Sequence, residues 1–194
     1  METKKLLAVA MLSFLIFQAC HSPEKRAKNK QSQMKESALN EATIPDTSDF
    51  NRGASLTVFM NEAALAGMME IELGKLAEQK ATNRQIIKYA KRMVKDHTKI
   101  AERLKVLADS RKMPLPRVLP QADLDHIAEL KKMPVNEFEK HYMGMMVKDH
   151  IKALDLFKSA TTSGDTPLQN FAISTLRTVE EHYNLATDIN NHLK

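Results

Sequence analysis

Four long stretches of the sequence, from about residue 47 to the C-terminus, repeat apolar side chains in alternating steps of four and three residues. That spacing places apolar side chains along one face of an α-helix and is typical of helices that pack in a bundle. With only 5 Gly and 7 Pro in 194 residues, the chain can form long helices. The sequence therefore predicts an all-α domain at residues 47–194, an antiparallel four-helix bundle.

Capping residues and prolines bound the predicted helices. Asn83 is a suitable N-cap for the second helix, and the turn at residues 164–167 starts the fourth. Three prolines between residues 114 and 120 break the chain after the second helix. They predict one long crossover between the second and third long helices, with a short helix at 123–132. The first three long helices are expected at about residues 47–80, 83–113 and 134–162.

Two of these helices repeat each other. The string Met-Val-Lys-Asp-His occurs at 93–97 and again at 146–150, and Tyr89 and Tyr142 hold equivalent places before it. Such a repeat is typical of two related helical hairpins that form a bundle with one crossover. Chance similarity between amphipathic helices is the alternative.

One polar residue interrupts the apolar face of each long helix: these are Glu70, His97, His150 and His182. Residues equidistant from a tight turn lie level in an antiparallel pair, and both pairs are centred on or beside a predicted turn. We therefore expect a single polar layer. Three imidazoles and a carboxylate could hold one Zn, Mn, Fe or Cu ion. The alternative is a hydrogen-bonded layer that only specifies packing, in which Glu70, Thr175 or Tyr142 would serve the histidines.

Acidic residues directly precede three of these histidines: Asp96, Asp149 and Glu181. They lie about 100° round their helices from the histidines, so we predict that they do not bind the metal. They are expected to orient the rings from outside, to cap a neighbouring Lys or Arg, or to pair between helices. Gly67 and Gly74 flank Glu70 and are expected either to admit a neighbouring helix or to leave space beside the carboxylate.

The remaining histidines and the methionines have a simpler interpretation. His126, His141 and His192 fall outside the apolar faces and are predicted at the surface. The methionines are interpreted as adaptable core filling, and copper binding by their thioethers is the alternative. They include Met68, Met69, Met93, Met143, Met145 and Met146.

The first twenty residues resemble a bacterial lipoprotein signal peptide. Lys4 and Lys5 precede an apolar run at residues 6–17, which is too short for a comfortable membrane span, and Cys20 is the only cysteine. A lone cysteine there is predicted to carry lipid; an ordinary signal peptide or an uncleaved anchor is the alternative. Because His21 follows it where an Asp would favour the inner membrane, we expect an outer-membrane lipoprotein that faces the periplasm.

Residues 21–46 are polar and are predicted to form a disordered tether between lipid and domain. The tether holds five of the chain's lysines and arginines, but four acidic residues offset them, so it contributes only +1 to the formal net charge of +5. The sequence has no basic stripe with interleaved aromatic residues, which argues against nucleic acid as a partner. It also has no glycine-rich phosphate loop and no nucleophile elbow, so nucleotide and hydrolase chemistry have little support.

From about residue 49 onward the chain resembles the bacterial family of the domain of unknown function 4142. The matching pieces are residues 70–77, the two Asp-His strings, Phe138 with Tyr142, and Glu181-His182. That family is assigned to the ferritin-like superfamily and is often found in exported or membrane-anchored proteins. The resemblance therefore implies a ferritin-like bundle in the cell envelope.

The chain departs from these patterns at several positions. Glu139 stands where the family usually has Asp, and Arg177 stands where it often has Pro, which puts a kink of the fourth helix in doubt. A ferritin-type di-iron centre needs Glu three residues before His, and this chain has Val94, Val147 and Val179 there. A di-iron ferroxidase is therefore not expected.

Together these features predict a lipid-anchored envelope module of uncharacterised role, with a single transition metal in its core, active in metal handling or stress resistance. One alternative is a non-catalytic module that binds another envelope protein. Another is a redox or peroxide-detoxifying metalloenzyme. The sequence does not indicate the oligomeric state.

Overall fold

The computed structural model describes residues 47–193, with side chains from residue 55 onward. This part of the chain contains five α-helices and no strand, which confirms the all-α prediction. The helices are α1 (Thr47–Lys80), α2 (Arg84–Ser110), α3 (Gln121–Lys132), α4 (Val135–Ala160) and α5 (Thr166–His192). The predicted signal peptide, the predicted lipid attachment at Cys20 and the predicted tether lie outside the described residues.

Local capping chemistry explains where two helices begin. The side chain of Asn83 accepts a hydrogen bond of 2.8 Å from the backbone N–H of Gln85 at the start of α2. At the start of α5, the side chain of Asp165 accepts a hydrogen bond of 2.9 Å from the backbone N–H of Leu168. Pro167 occupies the first turn of that helix. Both caps satisfy backbone donors that a helix start leaves without partners.

The long helices form a bundle in which α1 and α5 each pack against both α2 and α4. Near the start of α4, the Glu139 carboxylate accepts hydrogen bonds from the backbone N–H groups of Thr82 and Asn83 at 2.7 and 2.8 Å. Just beyond α2, Arg111 pairs with Asp165 at 2.6 Å, beside the start of α5. Thus α2 and α4 run parallel at opposite corners, and all neighbouring long helices are antiparallel.

This arrangement requires the segment between α2 and α4 to return along the bundle. The predicted crossover is therefore observed, and its short helix α3 lies against α1.

Membership of the ferritin-like superfamily stays a prediction. No helix among the described residues is long and apolar enough to cross a membrane.

Two apolar clusters fill the bundle, one towards each end. The first includes Leu73, Tyr89, Met93, Phe138, Tyr142, Met143 and Met146. The second includes Phe59, Met60, Leu104, Phe157, Phe171 and Val179. On each long helix, the polar residue predicted for the layer lies between members of the two clusters.

The two glycines beside Glu70 have different surroundings. A Cβ atom at Gly74 would lie 2.8 Å from Cγ2 of Val94 and 3.2 Å from the carbonyl oxygen of Ala90. Glycine therefore lets α1 approach α2 closely at this point. A Cβ at Gly67 would meet nothing within 4 Å, so the close approach that we considered for both glycines holds only at Gly74.

Candidate metal centre

Three histidines from three helices meet in the middle of the bundle. His97 comes from α2, His150 from α4 and His182 from α5. One ring nitrogen from each lies within 4.8 Å of the other two, and the ring centroids are 5.3 to 5.9 Å apart. All three are buried, His150 and His182 completely. No other group of three His, Cys, Asp or Glu among the described side chains has such spacing.

Glu70 brings a carboxylate from α1 to the same place. Its Oε2 lies 2.6 Å from Nε2 of His97, and its Oε1 lies 3.6 Å from Nδ1 of His150. The residue is only 4% exposed. The structure thus places all four residues that the sequence singled out in one polar layer, defined here as Glu70, His97, His150 and His182.

Hydrogen bonds fix which nitrogen of two rings carries the proton. Nε2 of His182 lies 3.1 Å from Oδ2 of Asp96 and must donate, because a carboxylate only accepts. Nδ1 of His150 donates in the same way to the backbone carbonyl of Met146 at 2.8 Å. In the neutral rings, Nδ1 of His182 and Nε2 of His150 therefore keep a lone pair. Metal-binding histidines are oriented by outer hydrogen bonds of this kind.

Two nitrogens of the polar layer are buried without a hydrogen-bond partner or an ion-pair contact. They are Nε2 of His150 and Nδ1 of His182. Oε2 of Glu70 and Nε2 of His97 instead contact each other at 2.6 Å. An unsatisfied buried polar atom costs about 1–3 kcal/mol. A bound cation would satisfy both, and three imidazole nitrogens within 4.8 Å of one another, with a carboxylate beside them, are donor types that suit a transition metal.

The protonation of the layer also suits a cation. Burial acts to raise the pKa of Glu70, but the neighbouring His97 and His150 lower it to about 2, so the carboxylate is ionised at neutral pH. Burial is the main cause that lowers the pKa of His182 to about 4, and His97 lowers it further, although the hydrogen bond that His182 donates to Asp96 acts to raise it. His182 is therefore neutral at pH 7 and can offer a lone pair.

These pKa values predict that the metal-free protein loses stability in acid. Below its ordinary pKa of 6.5, the unfolded His182 takes up a proton that the folded one refuses until about pH 4. Between those pH values folding should lose about 3 kcal/mol from this residue. The stabilisation from Glu70, whose folded pKa is below its ordinary 4.5, should disappear between pH 4.5 and 2. Urea unfolding at pH 7, 5.5 and 4 measures the effect, and equal stability at all three would contradict it.

The three acidic neighbours have different surroundings. Asp96 contacts His182 and also Arg92, whose Nε is 3.3 Å from Oδ2. Partial burial acts to raise the pKa of Asp96, but the hydrogen bond from His182 and the contact with Arg92 hold it below its ordinary value. Arg92 further binds Glu181, which therefore reaches the layer only through Arg92 and Asp96. Asp149 instead pairs with Lys152 at 2.9 Å.

The three acids therefore divide among the roles expected for them. Of the three, only Asp96 contacts a histidine of the layer in the structure. Asp149 bonds Lys152 on its own helix because that ammonium lies three residues away on the outer surface. Glu181 is 46% exposed by side chain and is held by Arg92 and by Arg177, at 3.5 Å from the latter.

The structure also revises the prediction for one surface histidine. His141 and His192 are exposed as expected, but His126 is half-buried. Its Nε2 lies 3.4 Å from Sδ of Met145, and its ring centroid is 5.7 Å from that of His141. Met93, Met143 and Met146 fill the core completely buried, whereas Met68, Met69 and Met145 are only partly buried.

Sequence reasoning did not foresee the buried tyrosine pair. The rings of Tyr89 and Tyr142 lie 6.3 Å apart, and Tyr89 lies 6.5 Å from the ring of His182. Neither hydroxyl has a hydrogen-bond partner, and burial raises the pKa of both. Their equivalent places in the repeated strings were the available signal. Neither Tyr142 nor Thr175 bonds a histidine, whereas Glu70 contacts His97, so only one of the pairings considered in the packing alternative is observed.

Comparison with known proteins agrees with this all-α arrangement. A family model described as "Domain of unknown function (DUF4142)" matches residues 45–189. No curated protein matches the chain. The structure is similar to a DUF305 fragment from Deinococcus radiodurans, with a TM-score of 0.64 and 11% identity over 72% of this chain and 97% of that one. It is also similar to a putative secreted DUF305 protein from Streptomyces coelicolor, with a TM-score of 0.57 and 11% identity over 68% and 88%.

Proposed function

The chain belongs to the DUF4142 family, whose function is unknown, and on that premise we propose from its own residues that the helical domain binds one transition-metal ion. The ligands would be one nitrogen each of His97, His150 and His182, together with the Glu70 carboxylate. The role would be metal handling or stress resistance in the cell envelope.

The observation that carries this proposal is the meeting of three buried imidazoles, two of which keep an unpartnered nitrogen, Nε2 of His150 and Nδ1 of His182. A layer that only specified packing should pair its polar atoms, because an unsatisfied one is destabilising. Here hydrogen bonds to Asp96 and to Met146 occupy one nitrogen of each of two rings. The other nitrogen of each ring is left with a lone pair, and an outer hydrogen bond of this kind is typical of metal-binding histidines.

The donor types narrow the choice of metal. Imidazole nitrogen suits Zn, Cu and Fe, whereas an oxygen-rich set suits Mn, Mg or Ca. Three histidines and one carboxylate can form the tetrahedral set that zinc prefers. With the di-iron pattern missing at Val94, Val147 and Val179, a single ion is the better fit. Zinc is therefore the first metal to test, with copper, iron and manganese after it.

The proposed location rests on the sequence of residues 1–20. A charged start, a short apolar run and Cys20 support a lipoprotein that holds the domain at the outer membrane, facing the periplasm. One similar solved structure is of a putative secreted protein, which is consistent with an address outside the cytoplasm. The membrane would then be the first partner of the chain, and a protein partner in the envelope would be a second.

Elemental analysis of untagged protein, prepared without chelator and incubated with zinc, tests the proposal directly. We expect about one zinc per chain, and none in the His97→Ala/His150→Ala variant, because that change removes two of the ligands. A His141→Ala/His192→Ala variant is the matched control, since it removes two exposed histidines and should keep the metal. Metal-free wild-type protein after incubation with zinc, copper, iron and manganese would refute the proposal.

A further inference from the structure

A groove of ≈ 440 Å³ opens on the face of the bundle formed by α1 and α4, with the start of α3 beside it. Residues from all three helices line it, among them Glu62, Met69, Asp123, Met145 and Asp149. The groove also reaches Glu70, which none of the other described grooves does.

Carboxylates dominate the charge of this groove. Its lining carries Glu62, Glu70, Asp123 and Asp149 against the single ammonium of Lys152. The chain as a whole is basic, with a formal net charge of +5, so this face is an acidic exception. A cleft lined by one sign of charge raises the local concentration of ions of the opposite sign and speeds their arrival.

A separate groove between α2 and α5 provides a contrast. It is smaller, at ≈ 260 Å³, and its charged residues are Lys88, Arg92 and Asp188. It contacts no member of the polar layer. Its charge and its position both make it a poor path for a cation to the centre of the bundle.

Glu70 links the acidic groove to the buried centre. Although it lines the groove, it is 96% buried, and its Oε2 contacts Nε2 of His97 at 2.6 Å. The three histidines do not line the groove. A cation in the groove would therefore contact the Glu70 carboxylate before it could reach any of the imidazoles.

We propose that this acidic groove between α1 and α4 is the route by which a divalent cation enters the polar layer, with Glu70 as the carboxylate that passes it to the histidines. This inference rests on the proposed metal site and adds a path to it. Asp123 and Asp149 attract the ion at the groove, and neither is needed to hold it once bound. The repeated strings then have separate tasks: Asp96 orients His182, while Asp149 attracts the incoming ion.

Cobalt(II) uptake by the full-length, metal-free protein tests the route, because bound cobalt is followed by its visible absorbance. The Asp123→Asn/Asp149→Asn variant should take up cobalt about tenfold more slowly at low ionic strength, with the difference shrinking in salt. The final amount should stay at about one cobalt per chain. Asp109→Asn/Asp188→Asn is the matched control, since it removes the same charge from exposed sites outside the groove and should load at the wild-type rate.

Each result has a distinct meaning. Slow loading to a full plateau in the groove variant alone supports the route. Equal rates in the wild type, groove variant and control would overturn the route and leave the metal site standing. A wild-type protein that takes up no cobalt at all would overturn the site and, with it, the route. An Ala66→Lys variant adds a positive charge to the groove lining and should also slow loading without lowering the plateau.

Discussion

Saturating zinc should raise the melting temperature of the wild-type protein by about 5–10 °C and leave that of the His97→Ala/His150→Ala variant unchanged. A ligand that binds only the folded state adds about 2.7 kcal/mol at a concentration of 100 times its Kd. In a domain of this size each kcal/mol shifts the melting temperature by about 2–4 °C. The unpartnered Nε2 of His150 and Nδ1 of His182 are groups whose cost the ion would offset.

The measurement is thermal unfolding followed by circular dichroism, with and without zinc, and again after removal of zinc by a chelator. The His141→Ala/His192→Ala variant should gain as much from zinc as the wild type, because those two histidines are exposed and outside the layer. An equal rise in the His97→Ala/His150→Ala variant would show that zinc acts elsewhere on the chain. No rise in any of the proteins would leave the polar layer a packing feature.

The fold was accessible from the sequence because its signals are local and repeated. Asn83, Asp165 and the prolines mark the helix ends by chemistry that acts within a few residues. The alternating apolar steps then set which face of each helix turns inward. Even the level of the polar layer followed from distances along the chain, because tight turns place residues equidistant from them side by side.

Details that depend on contacts between helices could not be predicted in this way. Glu139 looked like a mere departure from a family pattern, but it holds the turn between α1 and α2 through Thr82 and Asn83. His126 was predicted at the surface because the sequence of its short helix α3 does not reveal that Met145 on α4 contacts it. In both cases the decisive neighbour lies on another helix, far along the chain.

The identical Asp-His pairs at 96–97 and 149–150 show the same limit most clearly. Their sequences predict the same task for Asp96 and Asp149, yet only Asp96 contacts a histidine ring. The difference starts four residues earlier in each string, where Arg92 in α2 corresponds to Met145 in α4. Arg92 contacts Asp96 from one turn away and helps to hold it, whereas Met145 offers no charge, and Asp149 bonds Lys152 instead.

Asp96→Asn should therefore weaken zinc binding by about 10–100-fold, the usual cost of losing an outer carboxylate behind a metal-binding histidine. The amide keeps the shape of the side chain but loses the charge that favours the Nε2 proton of His182, so Nδ1 becomes a poorer ligand. Competition with a chromophoric zinc chelator, followed to equilibrium, measures the change. The protein should still reach about one zinc per chain at saturation.

Asp149→Asn is the control that the chain itself supplies, with the same change in the same repeated string. Because Asp149 touches none of the three histidines, its zinc affinity at equilibrium should stay within about twofold of the wild type, even where loading is slower. Equal losses of affinity in both variants would mean that the effect is a general loss of negative charge near the site. A loss confined to Asp96→Asn would tie the affinity to the single hydrogen bond that orients His182.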